Sequence, residues 1–272
     1  MRFLLTSGSF YTLPVQKTFE LAKEAGFDGM NLMVTSEFRG VDEISLVKEL
    51  RKILPIDSVH VPFIALWGWG NPVEKIQKTV RLAVETGIPL VNFHPPGWLL
   101  LEVRFCVWFS AIRDFQREVG KGQVEITIEN MPRLKRYCCD PHLLSRTENL
   151  RRFLVERNLY LSFDSSHMGT KKTDFLDDFN ALYATGRIKQ VQYGDYRDGQ
   201  EHLKPGHGIL PLQTFLRTLA KQNYSEGLCV EMMPDEFPKE EKQIVRMLKE
   251  ILGEIKETLE KGVVGSGMWD VS

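Results

Sequence analysis

ITIENMP, residues 126–132, is the stretch whose reading decides the fold: three β-branched residues run into a carboxylate, Glu129, and the run stops at Asn130 and Pro132. Such a run reads as a short buried strand that ends in a chemically active side chain. Five more runs end the same way. Upstream lie VHVPF with His60 and VNFHPP with His94; downstream lie LYLSFDSSH with Asp164, VQYGD with Gln192 and LCVEMMP with Glu231. The steps between these groups are 34, 35, 35, 28 and 39 residues. A strand, a helix and two short connections occupy about 30 or more residues, so the interval predicts a serial βα repeat. The fold class is therefore read as α/β, a single (β/α)8 barrel, in which every strand delivers its C-terminal residue to one face.

Eight strands are predicted, at roughly 2–6, 28–34, 57–62, 89–93, 124–129, 159–164, 188–193 and 227–232. Several (PLVNF, LYLSF, GLCVEMM) lack clean alternation, as strands covered on both faces do. Helix starts stand between them. Asn71, Pro72 and Glu74 spell an N-cap, an N1 proline and an acidic N3, and Ser145-Arg146-Thr147-Glu148 also fits a capping box. Gly26, Gly87 and Gly186 are expected to end helices just before the next strand. The amphipathic stretch from about 238 to 260 closes the repeat. The expected organisation is one barrel over 1–261 and a loosely held tail over 262–272. The alternative, an open doubly wound sheet, lacks support because TSGSFYT after the first strand is not a G-x-G-x-x-G fingerprint.

The 272-residue length is close to the barrel norm of about 250. A formal net charge of −1, from 35 basic and 36 acidic residues, gives no global attraction to nucleic acid or anionic membrane. No run approaches the ~20 apolar residues of a membrane span. RFLLTSG at the N-terminus is not a basic-then-apolar secretory signal. Cys106, Cys138, Cys139 and Cys229 form no C-x-x-C pair, so neither a zinc knuckle nor a disulfide framework is indicated and a cytoplasmic location is expected.

Carboxylates and imidazoles that converge on one barrel face suit a divalent cation, with Mn²⁺, Mg²⁺, Co²⁺ and Zn²⁺ all compatible. His167 follows Asp164 by one helical turn, within reach of a metal or a substrate. An isolated acid at a strand end would more simply cap a helix or pair with an Arg; repetition in phase favours the metal.

At these residues the chain resembles the xylose isomerase-like barrel superfamily, which contains sugar isomerases and epimerases and apurinic endonucleases of the endonuclease IV type. The resemblance spans nearly the whole chain and rests on IENMP, the D-S-S-H at 164–167, H-L-K-P-G-H-G at 202–208 and the closing VEMMP. It implies metal ligands at Glu129, Asp164 and Glu231. Gln192 stands where the sugar enzymes place a histidine ligand; its amide oxygen is a weaker, neutral substitute. Asn31 stands where the second strand often carries an acid. The implied reaction is a metal-dependent sugar isomerisation or epimerisation through an enediolate, with Glu129 and Glu231 as base and acid and His167 on a substrate hydroxyl or the carbonyl.

Further substrate contacts are expected from His60, His94 and His202, and from Trp67 and Trp69, which lie between glycines in ALWGWGN. Phe10, Tyr11 and Trp98 are weaker candidates of the same kind, and the basic run from Arg133 to Tyr137 is an anion-binding candidate. A rival reading is an endonuclease IV-like phosphodiesterase on abasic DNA. His60, His94, Glu129, Asp164, His167, His202 and Glu231 match its ligand positions, whereas Gln192 and Gln200 replace a histidine and an acid. A related dehydratase and a metabolite-binding barrel without turnover complete the alternatives. The expected partner is a small sugar or polyol; no membrane is expected, nucleic acid ranks behind, and a homo-oligomer is compatible with the chain.

Overall fold

Each short apolar run is buried between a barrel interior and a coat of helices, and the chain alternates between the two. In a computed structural model describing residues 1–97, 102–133, 142–171 and 173–264, the first half runs β1 (Arg2–Thr6), α1 (Val15–Ala25), β2 (Gly29–Met33), α2 (Glu43–Ile53), β3 (Ile56–His60), α3 (Pro72–Thr86), β4 (Leu90–Phe93), α4 (Val103–Ala111), α5 (Phe115–Glu118) and β5 (Glu125–Glu129). The second half runs α6 (Thr147–Glu156), β6 (Tyr160–Asp164), α7 (Ser165–Gly169), α8 (Phe175–Tyr183), β7 (Ile188–Tyr193), β8 (Asp195–Arg197), β9 (Gln200–Leu203), α9 (Leu212–Lys221), β10 (Gly227–Val230) and α10 (Glu241–Val264).

Eight parallel strands close in the order β1-β10-β7-β6-β5-β4-β3-β2. The seam pairs Leu4 with Cys229 and Leu5 with Val230. This is the single (β/α)8 barrel, and its eight strands coincide with the eight predicted runs to within two residues. At the start of β1 the Arg2 guanidinium reaches over β2 and donates to Asp57 on β3 at 2.5 and 3.1 Å.

The core lies between strands and helices, where Phe19, Phe93, Phe109, Phe115, Phe163 and Phe215 are fully buried. The barrel interior is different in kind. Because side chains repeat faces every two residues along a strand, the residue two before each strand-end group also points inward. These positions are Ser58, Asn92, Thr127, Ser162, Gln190 and Cys229, all buried and all but Cys229 hydrogen-bonding side chains. Barrel interiors are usually filled by Val, Ile and Leu; here they form a hydrogen-bonded plug. Asn31 Nδ2 donates to Ser58 Oγ at 2.6 Å, Ser58 Oγ to Gln190 Oε1 at 2.6 Å, and Thr127 Oγ1 to Asn92 Oδ1 at 3.0 Å. Asn31 thus belongs to this layer, bonded also to Thr6 at 3.0 Å.

Local signals succeed where their geometry closes. Asn71 and Glu74 make the full reciprocal capping box of α3, and Gly26 and Gly87 take the left-handed cap of α1 and α3 at φ 90° and 67°. The second expected box does not form. Helix α6 begins at Thr147 with Arg146 at the N-cap and no side-chain cap bond, so Ser145 lies one residue too early. Gly186 is left-handed at φ 65° but lies two residues beyond Ala184, the cap of α8. The antiparallel hairpin β8–β9 was not expected; only the turn that follows it was. Helix α10 continues to Val264, past the expected boundary at 261, and residues 265–272 of the expected tail lie outside the described residues.

Candidate active site

The strand ends meet at one face. Glu129 is the hub. Its Oε1 lies 3.0 Å from His60 Nε2 and accepts from Gln192 Nε2 at 3.0 Å and from Asn92 Nδ2, while its Oε2 lies 3.1 Å from His94 Nε2. Burial opposes charge on this carboxyl, but the His94 and His60 rings beside it outweigh that and hold it well below the usual carboxylate range. His60 carries the reciprocal effect: burial disfavours its charge, Glu129 outweighs burial, and its pKa is raised. His60 Nδ1 donates to the Val61 carbonyl at 2.7 Å, which aims Nε2 into the site.

A second group forms on β6, α7 and β9. Asp164 Oδ1 caps α7, accepting from His167 N at 2.9 Å and Ser166 Oγ at 2.8 Å. His167 Nδ1 lies 3.1 Å from the Asn130 carbonyl and 3.4 Å from Asp164 Oδ2. Burial pushes the His167 pKa down to about 4, so the ring is neutral near pH 7. His202 lies edge-on to His167 with ring centres 4.9 Å apart, and its Nδ1 is 3.1 Å from Ser166 Oγ. Its backbone is left-handed at φ 56°, an uncommon conformation for a residue with a Cβ. That conformation is held by Met233 N donating to the His202 carbonyl at 2.8 Å.

His60, His94 and Glu129 form one set of ligand atoms within 4.8 Å of one another, and Asp164, His167 and His202 form another. In the first set His60 Nε2 faces only the Glu129 carboxylate, at 3.0 Å, and in the second the buried Asp164 Oδ2 has no hydrogen-bond partner among the described residues. A buried lone pair left unsatisfied is costly, and imidazole nitrogen with carboxylate oxygen is a donor set for Zn²⁺, Mn²⁺ or Co²⁺. The residues therefore fit a divalent cation.

The grouping differs from the expected quartet of Glu129, Asp164, Gln192 and Glu231. Gln192 stands between Glu129 and Glu231 and donates to both, at 3.0 and 2.6 Å, while its oxygen accepts from Ser162 Oγ at 3.1 Å. The ionised Glu129 can only accept, which favours the amide nitrogen on its side. Its oxygen is thereby turned away from the ligand position, and Gln192 serves as a bridge. Glu231 keeps its other oxygen for the cavity, and burial pushes its pKa up to about 7.

His60, His94, Glu129, His167, His202 and Glu231 line a cavity of about 640 Å³, with Asp164 and Gln192 behind them. Its wall also carries Glu201, from the hairpin, whose Oε2 is 3.8 Å from His167 Nε2 and whose pKa burial raises to about 7. Sequence reasoning missed Glu201 because its strand is four residues long and polar; the neighbouring His202 was the available signal. Asn92, Asn130 and Ser166 were missed too, being residues that hold ligands in place. The two tryptophans do not line the cavity. Trp69 is buried at 2 % exposure in the core, edge-on to Phe38 and under Lys78 Nζ at 4.4 Å. Trp67 is 74 % exposed, with the Arg39 guanidinium over its ring. The same segment supplies Phe63 and Ile64 instead. Of the weaker candidates, Tyr11 lines the cavity and Phe10 is packed against Phe237. Trp98 and residues 134–137 lie outside the described residues. His207 is paired with Glu236 at 2.8 Å, away from the cavity.

The chain is a closed parallel barrel with histidines and acids gathered at the C-terminal mouth of its strands, and comparison with known proteins specifies the family. The family model of the xylose isomerase-like TIM barrel matches residues 19–251, and the chain belongs to that family. It is 28 % identical over 252 residues to an uncharacterized protein of Mycobacterium leprae, covering 84 % of this chain and 87 % of the relative. A relative from Mycobacterium tuberculosis is 27 % identical over 251 residues, with the same coverage. Among solved structures, the fold is similar to a D-tagatose 3-epimerase-like protein (TM-score 0.71, 20 % identity, 97 % of this chain and 100 % of that one). It is similar as well to an AP endonuclease, family 2, from Brucella melitensis (TM-score 0.66, 18 % identity, 89 % and 96 %). At such identities the likeness is one of fold.

Proposed function

We propose that this protein is a divalent-metal-dependent epimerase or isomerase of sugars that moves a proton on the carbon next to a carbonyl. The observation that carries the reading is the Glu129–Gln192–Glu231 bridge at the cavity floor: two carboxyls joined by one amide and held in opposite protonation regimes. Groups driven apart in this way are suited to separate roles. Glu129, with both oxygens engaged, stays ionised and anchors the imidazoles. Glu231, with one oxygen open and a pKa near 7, takes the carbon-bound proton as its carboxylate. Glu201, also near 7 on the cavity wall, starts protonated and delivers its proton to the resulting enediolate, and the two acids exchange roles in the reverse direction. His167, neutral and fixed by Asn130, accepts a substrate hydroxyl or joins Asp164 and His202 as a ligand. A cation held by His60, His94 and Glu129, or by Asp164, His167 and His202, would supply stabilisation of negative charge on the substrate oxygens. The fold likeness to sugar 3-epimerases supports the substrate class, as does a cavity whose described lining contains no Lys or Arg.

The test is solvent exchange. In D2O, the metal-loaded protein is expected to replace the carbon-bound hydrogen of at least one of D-fructose, D-tagatose, D-psicose and L-ribulose, followed by proton NMR with Mn²⁺, Mg²⁺ and Co²⁺ in turn. Glu231→Gln is expected to lose the exchange while keeping its metal. Absence of exchange with every ketose and every ion would reject the reading. A second reading, metal-dependent cleavage of phosphodiesters, is favoured by the presence of two separate ligand sets, since paired ions suit in-line displacement. Elemental analysis separates the two: one ion per chain supports the sugar enzyme, and two or more with cleavage of an abasic oligonucleotide support the phosphodiesterase.

A further inference from the structure

Above its polar floor, the cavity changes character. Tyr11, Met33, Phe63, Ile64, Met131 and Met233 line its wall and rim. Four of these remain open to solvent: Tyr11 at 58 %, Phe63 at 57 %, Ile64 at 46 % and Met233 at 41 % exposure. Apolar surface gathered around a polar pocket is a binding feature. The rim is also fixed to the floor. The Phe63 ring stacks on His94 with centres 5.3 Å apart and planes 24° from parallel. Lys75 Nζ reaches from α3 to the Ile64 carbonyl at 2.6 Å, and Met233 N is bonded to the His202 carbonyl at 2.8 Å. Phe63 and Met233 are therefore tied to the segments that carry the candidate ligands, and Ile64 to α3.

A simple ketose is hydroxylated along its length. Placed with its carbonyl at the floor, it would press several hydroxyls against thioether, phenyl and alkyl groups, and each hydroxyl removed from water without a partner weakens binding. An apolar substituent gains from the same wall. Resting on the sugar-epimerase reading for the floor, we propose that the substrate is an uncharged sugar derivative bearing an apolar aryl or alkyl substituent, with the sugar on the ligand floor and the substituent against Phe63, Ile64 and Met233. The wall against which the substituent would rest, Phe63, Ile64 and Met233, is apolar, and the described lining holds no Lys or Arg.

The test is isothermal titration calorimetry of the metal-loaded protein with methyl β-D-glucopyranoside and phenyl β-D-glucopyranoside. The phenyl compound is expected to bind about tenfold or more tightly than the methyl compound, from the area its ring buries. Phe63→Ser and Met233→Ser, both at exposed positions, are expected to bring that ratio toward one, with circular dichroism and melting temperature confirming the fold of each. Equal affinities, no binding of either compound, or a preference that both variants retain would overturn the proposal. The ketose exchange assay fails or succeeds separately. A phenyl preference without exchange leaves the apolar subsite standing and removes the epimerase reading; exchange without a phenyl preference does the reverse.

Discussion

Gln192 shows how one residue sets the character of the site. A histidine there would put a further imidazole among the ligands; the amide instead ties Glu129 to Glu231 with two bonds, at 3.0 and 2.6 Å. Gln192→Ala leaves two buried carboxyls facing each other without a donor between them. We expect a loss of about 1–3 kcal/mol in urea unfolding and at least a tenfold fall in ketose exchange, with metal content retained; parallel loss of the metal would instead make Gln192 a ligand. Glu129→Gln has a different signature. It removes the charge that His60 and His94 share, so elemental analysis is expected to find that variant depleted of its ion, whereas Glu231→Gln keeps it.

Among the elements, α3 and α6 make a controlled pair. Both carry a capping-box sequence, but only the Asn71 side chain accepts from Val73 N and Glu74 N, at 3.0 and 3.2 Å. Asn71→Ala is therefore expected to cost about 1 kcal/mol of stability, and Ser145→Ala less than about 0.5 kcal/mol, both read from denaturant midpoints. The distinction was not legible in the sequence because a cap depends on where the helix begins, and a one-residue shift removes the bond. The β8–β9 hairpin was hidden for a related reason. Its strands are three and four residues long and polar, too short for an alternating pattern to show. Asp195 organises it, accepting from Gly206 N, Gly208 N and Leu210 N at 3.0, 2.9 and 3.1 Å, and so brings Glu201 and His202 to the cavity wall.

For the molecule as a whole, the repeat was readable because six of the eight strands satisfy two demands at once: helices outside and a polar group at the end. The strand-end residues His60, His94, Glu129, Asp164 and Glu231 and the closed barrel were visible from that constraint. The pairing of the ligands into two sets was not, since it depends on which oxygen of Glu129 and Asp164 faces which ring. Nor was the fate of Trp67 and Trp69, because an aromatic between glycines carries no sign of the direction in which it turns. The helical coat depends on its aromatic layer, where Phe109 stacks on Phe153 at 5.0 Å and meets Phe115 at 5.2 Å. Phe109→Ala is expected to cost about 3–5 kcal/mol by chemical denaturation. The pairing of Leu4 with Cys229 has a temporal consequence. It joins the barrel's first strand to its last, so a half-synthesised barrel carries two raw sheet edges open to mispairing. Glu231 follows that last strand by one residue, so the carboxyl reaches its place opposite Glu129 only when the ring is sealed, and an immature chain lacks the completed cavity.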